Sequence, residues 1–142
     1  MKAKGSNAER ELVAKFWGEG FASIRVAGSG SSRFPCPDVL ASNGQRTIAV
    51  EAKATKKDVQ YFREKQITEL IEFSRKFGSE PILAVKFSSR WAFFELFKLR
   101  QTPNGDYAVS KKDVEELGIT FDGLISTKKI SNFICCLFFT NK

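Results

Sequence analysis

Three observations predict an α/β fold with a central mixed β-sheet flanked by helices. Amphipathic helical stretches and strand-like runs follow one another in the order helix, three strands, helix, two strands. The run "RTIAVEAK" (46–53) is too apolar in its interior for a sheet edge facing water, which makes it a central strand. The length, 142 residues, is one domain's worth and long enough for a real hydrophobic core.

The first element, "SNAERELVAKFWG" (6–18), places Ala8, Leu12, Val13, Phe16 and Trp17 on one face at helical spacing. Ser6 is its expected N-cap, and Glu9 three residues later completes a capping box. Gly18 and Gly20 end it. "FASIRVA" (21–27) reads as a strand, followed by the loop "GSGSSRFPCP". After Pro37, "DVLA" is a short strand, and Asn43-Gly44 is a strong hairpin signal leading back into 46–53. "EKQITELIEFSRKFG" (64–78) is a second helix closed by Gly78. It carries two apolar stripes where one core face needs only one: Ile67, Ile71 and Ser74, then Leu70, Phe73 and Phe77. "PILAVKF" (81–87) and "WAFFELF" (91–97) are two more strands, and "SKKDVEEL" (110–117) is a short helix capped by Ser110. The apolar tail "ISNFICCLFFTNK" has no assigned element.

Composition narrows the chemistry. The chain has no histidine, which excludes a Ser-His hydrolase, a histidine metal site and a histidine general base. Any metal must bind carboxylates and backbone carbonyls, which favours a hard ion such as Mg²⁺ or Mn²⁺. The formal charge of +7 points to a polyanionic partner, most commonly nucleic acid. Three cysteines, Cys36, Cys135 and Cys136, form no CxxC pair, and the odd count suits a reducing interior. No apolar run approaches the ~20 residues that span a bilayer, and "MKAKGSNAEREL" has no secretory h-region. The expected compartment is the cytoplasm, with no membrane association.

The stretch "RFPCPDVLASNGQRTIAVEAK" (33–53) concentrates the chemistry. Glu51 and Lys53, two apart on a strand, project to the same face. The hairpin brings Asp38 alongside, with the Ala52 carbonyl as a further oxygen ligand. Two crowded carboxylates repel, and a divalent cation relieves that repulsion. Such a cation polarises a phosphoryl oxygen and lowers the pKa of a bound water. Lys53 can then orient or help deprotonate the water and stabilise developing negative charge. Pro37-Asp38, twelve intervening residues and Glu51-Ala52-Lys53 read as a PD-(D/E)xK nuclease motif. The plain alternative is a surface hairpin with Glu51 paired to Lys53 or Lys56.

Beyond the motif, "KGSNAEREL", "GFASIRVAGSGS", "PDVLASNG", "IAVEAKATKKD", "LIEFSRKFGSEPILAVKF" and "WAFFEL" cover roughly residues 4–97 in order. In these segments the chain resembles the archaeal Holliday junction resolvases, a branch of the restriction-endonuclease-like superfamily. The resemblance implies a restriction-endonuclease-like fold and a homodimer that binds branched DNA, the four-way junction. It implies paired symmetric nicks using Mg²⁺, with Mn²⁺ able to substitute. By position, Glu9, Asp38 and Glu51 would hold the metal, Lys53 would assist the attacking water, and Ser29 would be a loop serine needed for cleavage. The register among Ser29, Ser31 and Ser32 stays open. Arg10 and Arg25 match positions linked to DNA contact or catalysis, and Phe73 and Phe77 suit a two-fold apolar interface.

Other basic residues expected to face phosphates are Lys2, Lys4, Arg33, Lys56, Lys57 and Arg63. A sliding clamp is a candidate accessory partner. The expected division is a nuclease domain over 1–125 and a tail over 126–142, where the resemblance gives no motif. The competing readings are another PD-(D/E)xK endonuclease of repair or restriction type, a non-catalytic junction-binding module, and a basic interaction protein with an incidental motif. Bland roles also stand beside the individual assignments: Glu9 as a cap residue, Arg10 and Arg25 as solvated charges, and Phe73 and Phe77 packed beneath "WAFFELF".

Overall fold

A computed structural model of the chain describes residues 2–126, with side chains from residue 5 onward. Of the tail expected over 126–142 only Ser126 is described, and the rest of it, with the side chains of Lys2 and Lys4, lies outside the described residues. The elements in order are α1 (Lys2–Trp17), β1 (Ala22–Arg25), β2 (Val39–Ser42), β3 (Thr47–Thr55), β4 (Val59–Phe62), α2 (Glu64–Phe77), β5 (Glu80–Phe87), β6 (Arg90–Glu95), β7 (Arg100–Gln101), β8 (Tyr107–Ser110), α3 (Asp113–Glu116) and α4 (Phe121–Ser126). The main sheet runs β1-β2-β3-β5-β6, and β4-β8-β7 form a smaller one. Among the described strands only β3 and β5 pair in parallel; the other ladders are antiparallel, so the main sheet is mixed. β3 is its central strand, as its apolar interior predicts.

The two faces of β3 divide the core. Ile48 and Val50 turn toward α1 and join Leu12, Phe16, Val39, Ile82 and Phe93 in one buried cluster. Ala49 turns the other way and joins Phe62, Ile67, Leu70, Leu83, Val85 and Val109 in a second. Each fully buried Leu, Ile or Phe contributes about 1.5–3 kcal/mol of apolar transfer. The helices therefore clamp β3 from both sides, and residues 51 and 53 inherit the α2 side by alternation.

Several local expectations change. Helix α1 begins at Lys2, so Ser6 lies inside it and is no cap, and Glu9 closes no capping box. The run 110–117 yields only the short α3. Ser110 belongs to β8, yet its Oγ and amide both donate to Asp113 Oδ2, at 2.8 and 2.7 Å. "WAFFELF" ends as a strand at Glu95 and turns into a 3-10 segment, Leu96–Lys98. β4, β7, β8 and α4 have no counterpart in the sequence reading. On α2, Ile67, Leu70 and Ser74 are buried, so the inner face draws from both apolar stripes. Gly78 ends this helix at φ 77°, a left-handed conformation that glycine adopts without a Cβ penalty, and its N–H donates to the Ser74 carbonyl at 3.0 Å.

At the end of β3 remote from Glu51, Arg46 and Glu80 form a buried ion pair. Arg46 Nε donates to Glu80 Oε2 at 2.8 Å and Nη2 to Oε1 at 3.2 Å. A third donor, Nη1, reaches the Leu124 carbonyl at 2.6 Å and ties α4 to the sheet. Removing one partner of such a pair leaves the other charge buried and uncompensated. Arg46→Met should therefore lower the unfolding free energy by about 3–5 kcal/mol in urea titration; a change under about 1 kcal/mol would mean that water relieves Glu80.

Candidate active site

The hairpin register places the acids. Val39 pairs with Val50 in the antiparallel β2–β3 ladder, so Asp38, one residue earlier, stands opposite Glu51. The Asp38 backbone N–H donates to the Val50 carbonyl at 3.0 Å and its own carbonyl accepts from Val26 N–H at 2.8 Å. The carboxylate is held as firmly: Oδ2 accepts the Ala52 N–H at 2.9 Å and Oδ1 the Ser29 hydroxyl at 2.6 Å. Ala52 thus directs its amide toward Asp38, and in a strand the carbonyl of the same residue points to the same side.

Ser29 opens a 3-10 turn, Ser29–Ser31, after Gly28, whose φ of 71° reverses the chain. Among the three loop serines only Ser29 bonds Asp38. Ser31 Oγ donates to the Gly28 carbonyl, and Ser32 Oγ accepts the Phe34 N–H.

Glu51 and Lys53 open onto a cleft of about 430 Å³ whose walls also include Ser29, Cys36, Asp38, Arg63 and Gln66. Glu51 makes no ion pair among the described residues, which removes the surface-hairpin alternative; its Oε1 accepts from Gln66 Nε2 at 3.4 Å. Burial, then the charge and hydrogen bond of Asp38, push the Glu51 carboxyl up to about 9, against the pull of Lys53. The Lys53 ammonium sits 5.6 Å from the centre of the Phe62 ring, a cation–π contact that aims it from β3 toward the cleft.

Glu9 approaches from α1. Its Oε2 accepts from Arg25 Nη1 at 3.3 Å, while burial and the Asp38 charge raise its pKa. The contact sets Arg25, on β1, as the counterion of Glu9. Arg10 and Arg33 are exposed, as are Lys56 and Lys57 in the turn after β3. Phe73 is half-buried, whereas Phe77 is 56% exposed and stacks on Phe73 with ring centres 4.9 Å apart. Phe77 therefore does not pack beneath β6. The sequence reading missed Gln66 and Lys65 as cleft residues, because the start of α2 reaches the cleft only through β4.

A hard divalent cation fits this donor set. Among the described residues no three His, Cys, Asp or Glu side chains gather closely enough to cage a metal on their own. Asp38 and Glu51 nevertheless face each other, with the Ala52 carbonyl on the Asp38 side. One or two carboxylates completed by waters are what Mg²⁺ takes. Burial first, and then the neighbouring Asp38, raise the Glu51 pKa, and a cation bound there would favour the ionised carboxylate.

The metal-free protein should carry a pH signature. Folded, Glu51 keeps a proton up to about pH 9; unfolded, it releases it near 4.5. Between those values the folded state binds more protons, so its stability falls as pH rises, by up to about 1.4 kcal/mol per pH unit. Urea unfolding in EDTA from pH 5 to 9 should show that decline in the wild type and a flatter profile in Glu51→Gln. Parallel profiles would sink the assignment.

Comparison with known proteins shows the family. The model for the family described as "Archaeal holliday junction resolvase (hjc)" matches residues 1–132. The crossover junction endodeoxyribonuclease Hjc of Archaeoglobus fulgidus is 44% identical over 103 residues, covering 72% of this chain and 76% of that protein. Hjc of Sulfurisphaera tokodaii is 36% identical over 126 residues, 87% of each. Hjc of Methanocaldococcus jannaschii is 35% identical over 126 residues, 89% of this chain and 90% of its own length. A solved structure of Archaeoglobus fulgidus Hjc, a Holliday junction resolvase from an archaeal hyperthermophile, superposes with a TM-score of 0.75 at 38% identity, covering 81% of this chain and 93% of that one. On fold, site geometry and sequence together, the chain belongs to the archaeal Holliday junction resolvase family, with its restriction-endonuclease-like fold.

Proposed function

We propose that this protein is a crossover junction endodeoxyribonuclease that resolves four-way DNA junctions by paired, metal-dependent nicks, with Asp38, Glu51 and Lys53 at the reacting phosphodiester. The observation that carries this reading is the register of β2 on β3. It sets Asp38 opposite Glu51 and puts Lys53 two residues on, on the same face of one cleft.

Asp38, Glu51 and the Ala52 carbonyl would hold Mg²⁺, with Mn²⁺ able to substitute, and Glu9 adds a third negative charge behind Asp38. Bound there, the ion supplies Lewis acidity to the phosphoryl oxygen and acidifies a water. Ser29 keeps the Asp38 carboxylate from rotating. Lys53 orients the attacking water and meets the negative charge that develops on the phosphate. Arg10, Arg33, Lys56, Lys57 and Arg63 bind backbone phosphates without reading bases, so affinity should decline as salt rises. Arg25 contributes differently, by balancing the charge of Glu9.

The protein acts as a homodimer, one site for each of two opposing strands. Phe77 and Phe73 supply the two-fold face, beside an apolar surface cavity of about 280 Å³ that Phe34 and Pro35 also line. Exposed apolar surface of this kind suits a partner face.

A labelled four-way junction incubated with Mg²⁺ should yield two symmetric nicks, whereas a matched linear duplex stays intact. Asp38→Asn should abolish the reaction, and Lys53→Met should slow it by about 10²–10⁴-fold. Equal cutting of linear duplex would leave a nuclease and remove junction selectivity. Binding without cutting in the wild type would leave a junction-binding module.

Phe77→Glu should shift the protein from dimer to monomer in sedimentation. On junctions it should give single rather than paired nicks. A dimer that persists would move the interface elsewhere.

A further inference from the structure

Gln66 belongs to neither the motif nor the resemblance, yet its side chain ties two parts of the site together. It lies in the first turn of α2, half-buried on the wall of the cleft. Its Oε1 accepts the backbone N–H of Arg63 at 3.0 Å, the residue that caps the helix. That bond fixes which end of the amide is which. With the oxygen committed to the helix start, the NH₂ group is turned toward Glu51 and lies 3.4 Å from Oε1.

We propose that Gln66 is the positioning residue for Glu51. It is a neutral donor, anchored to a helix end, that sets the direction of one of the two facing carboxylates. The inference rests on the reading of Glu51 as a site acid. Three features support it. Glu51 has no cation within ion-pair distance among the described residues, so Gln66 and Asp38 are the groups that decide its rotamer. A neutral amide can hold the carboxylate without cancelling the negative charge that a cation needs. Finally, α2 is packed onto the sheet by Ile67 and Leu70 immediately after Gln66, so the donor stands on a rigid base. The contact is longer than an ordinary N–H···O bond, and hydrogen bonds in substrate-free sites are often long until the reacting complex forms.

The test separates positioning from capping. Gln66→Ala loses both the cap acceptor and the donor. Gln66→Glu keeps an acceptor for the Arg63 N–H, as capping boxes do, but removes the donor and sets a like charge beside Glu51. Three quantities are measured on each full-length variant: melting temperature, junction Kd in Ca²⁺, and the single-turnover cleavage rate at saturating junction in Mg²⁺. The expected result is a rate about 10–100-fold below wild type for both variants. Junction Kd should stay within about twofold, and Gln66→Glu should keep the wild-type melting temperature while Gln66→Ala loses some of it.

A Gln66→Glu enzyme at the wild-type rate, with the Gln66→Ala loss tracking its melting temperature, would reduce Gln66 to a helix cap and overturn the proposal. So would a change in Kd with the rate intact, which would make Gln66 a DNA contact. Asp38→Asn is run alongside. If that variant cuts normally, the site reading itself has failed; if it is inactive while both Gln66 variants cut normally, only the positioning role has.

Discussion

Two ionised carboxylates facing each other across an antiparallel ladder would repel, and much of this molecule serves to keep the Asp38 and Glu51 carboxyl groups there. The Ala52 amide and the Ser29 hydroxyl hold the first; burial and the end of α2 confine the second. The strand that carries Glu51, β3, cannot shift to separate them. β3 is paired along eight positions with β5, clamped by α1 on one side and α2 on the other, and continued into the hairpin with β2. The stability of two apolar clusters is thus set against the cost of burying one carboxyl group beside another, an arrangement that shifts pKa values and is common at functional sites.

The polar groups at the two ends of β3 make the point by contrast. At the hairpin end, Arg46 and Glu80 are nearly inaccessible and bonded to each other twice, with a further bond to Leu124. Nothing in that arrangement asks for a ligand. At the cleft end, Asp38 and Glu51 make no ion pair among the described residues, and the Lys53 ammonium lies over the Phe62 ring while its charge offsets only part of the rise in the Glu51 pKa. Arg25 is paired with Glu9. Beyond the site, Glu11 accepts from both Lys86 and Trp91, fastening the middle of α1 to β5 and β6 so that Glu9 is presented from a fixed helix.

The hairpin was legible in the sequence because two local signals coincide there: alternation with period two and an Asn-Gly turn. Together they set the register, and the register sets Asp38, Glu51 and Lys53. Central β3 was legible from its apolar interior. The smaller sheet was not, since β4 has four residues and its partner β8 begins 45 positions after β4 ends; neither carries a local signal of that pairing. The start of α2 was read correctly at residue 64, but without β4 nothing in the sequence shows that this first turn, and Gln66 with it, lines the cleft. Ser6 has the chemistry of a cap, but helical residues precede it, and a good N-cap residue does not stop a helix that can extend. The choice among Ser29, Ser31 and Ser32 depends on a 3-10 turn whose direction Gly28 sets, which composition alone cannot reveal.

The hairpin also decides where the chain tolerates a change in length. Its tip, residues 43–46, closes on itself: the Asn43 side chain accepts from the Gln45 and Arg46 amides, and Asn43 N–H meets the Arg46 carbonyl. A residue added between Gly44 and Gln45 enlarges the loop and leaves every pair from Ser42–Thr47 down to Val39–Val50 intact. A residue added within 47–50 keeps the composition and almost all of the core, yet turns every side chain between the insertion and the tip to the opposite face, or else turns Glu51 and Lys53 away from the cleft. The number of residues between Pro37-Asp38 and Glu51 is therefore a soft quantity at the tip and a rigid one along the strands. Natural variation in this spacing should gather at one point of the hairpin and come without loss of the site.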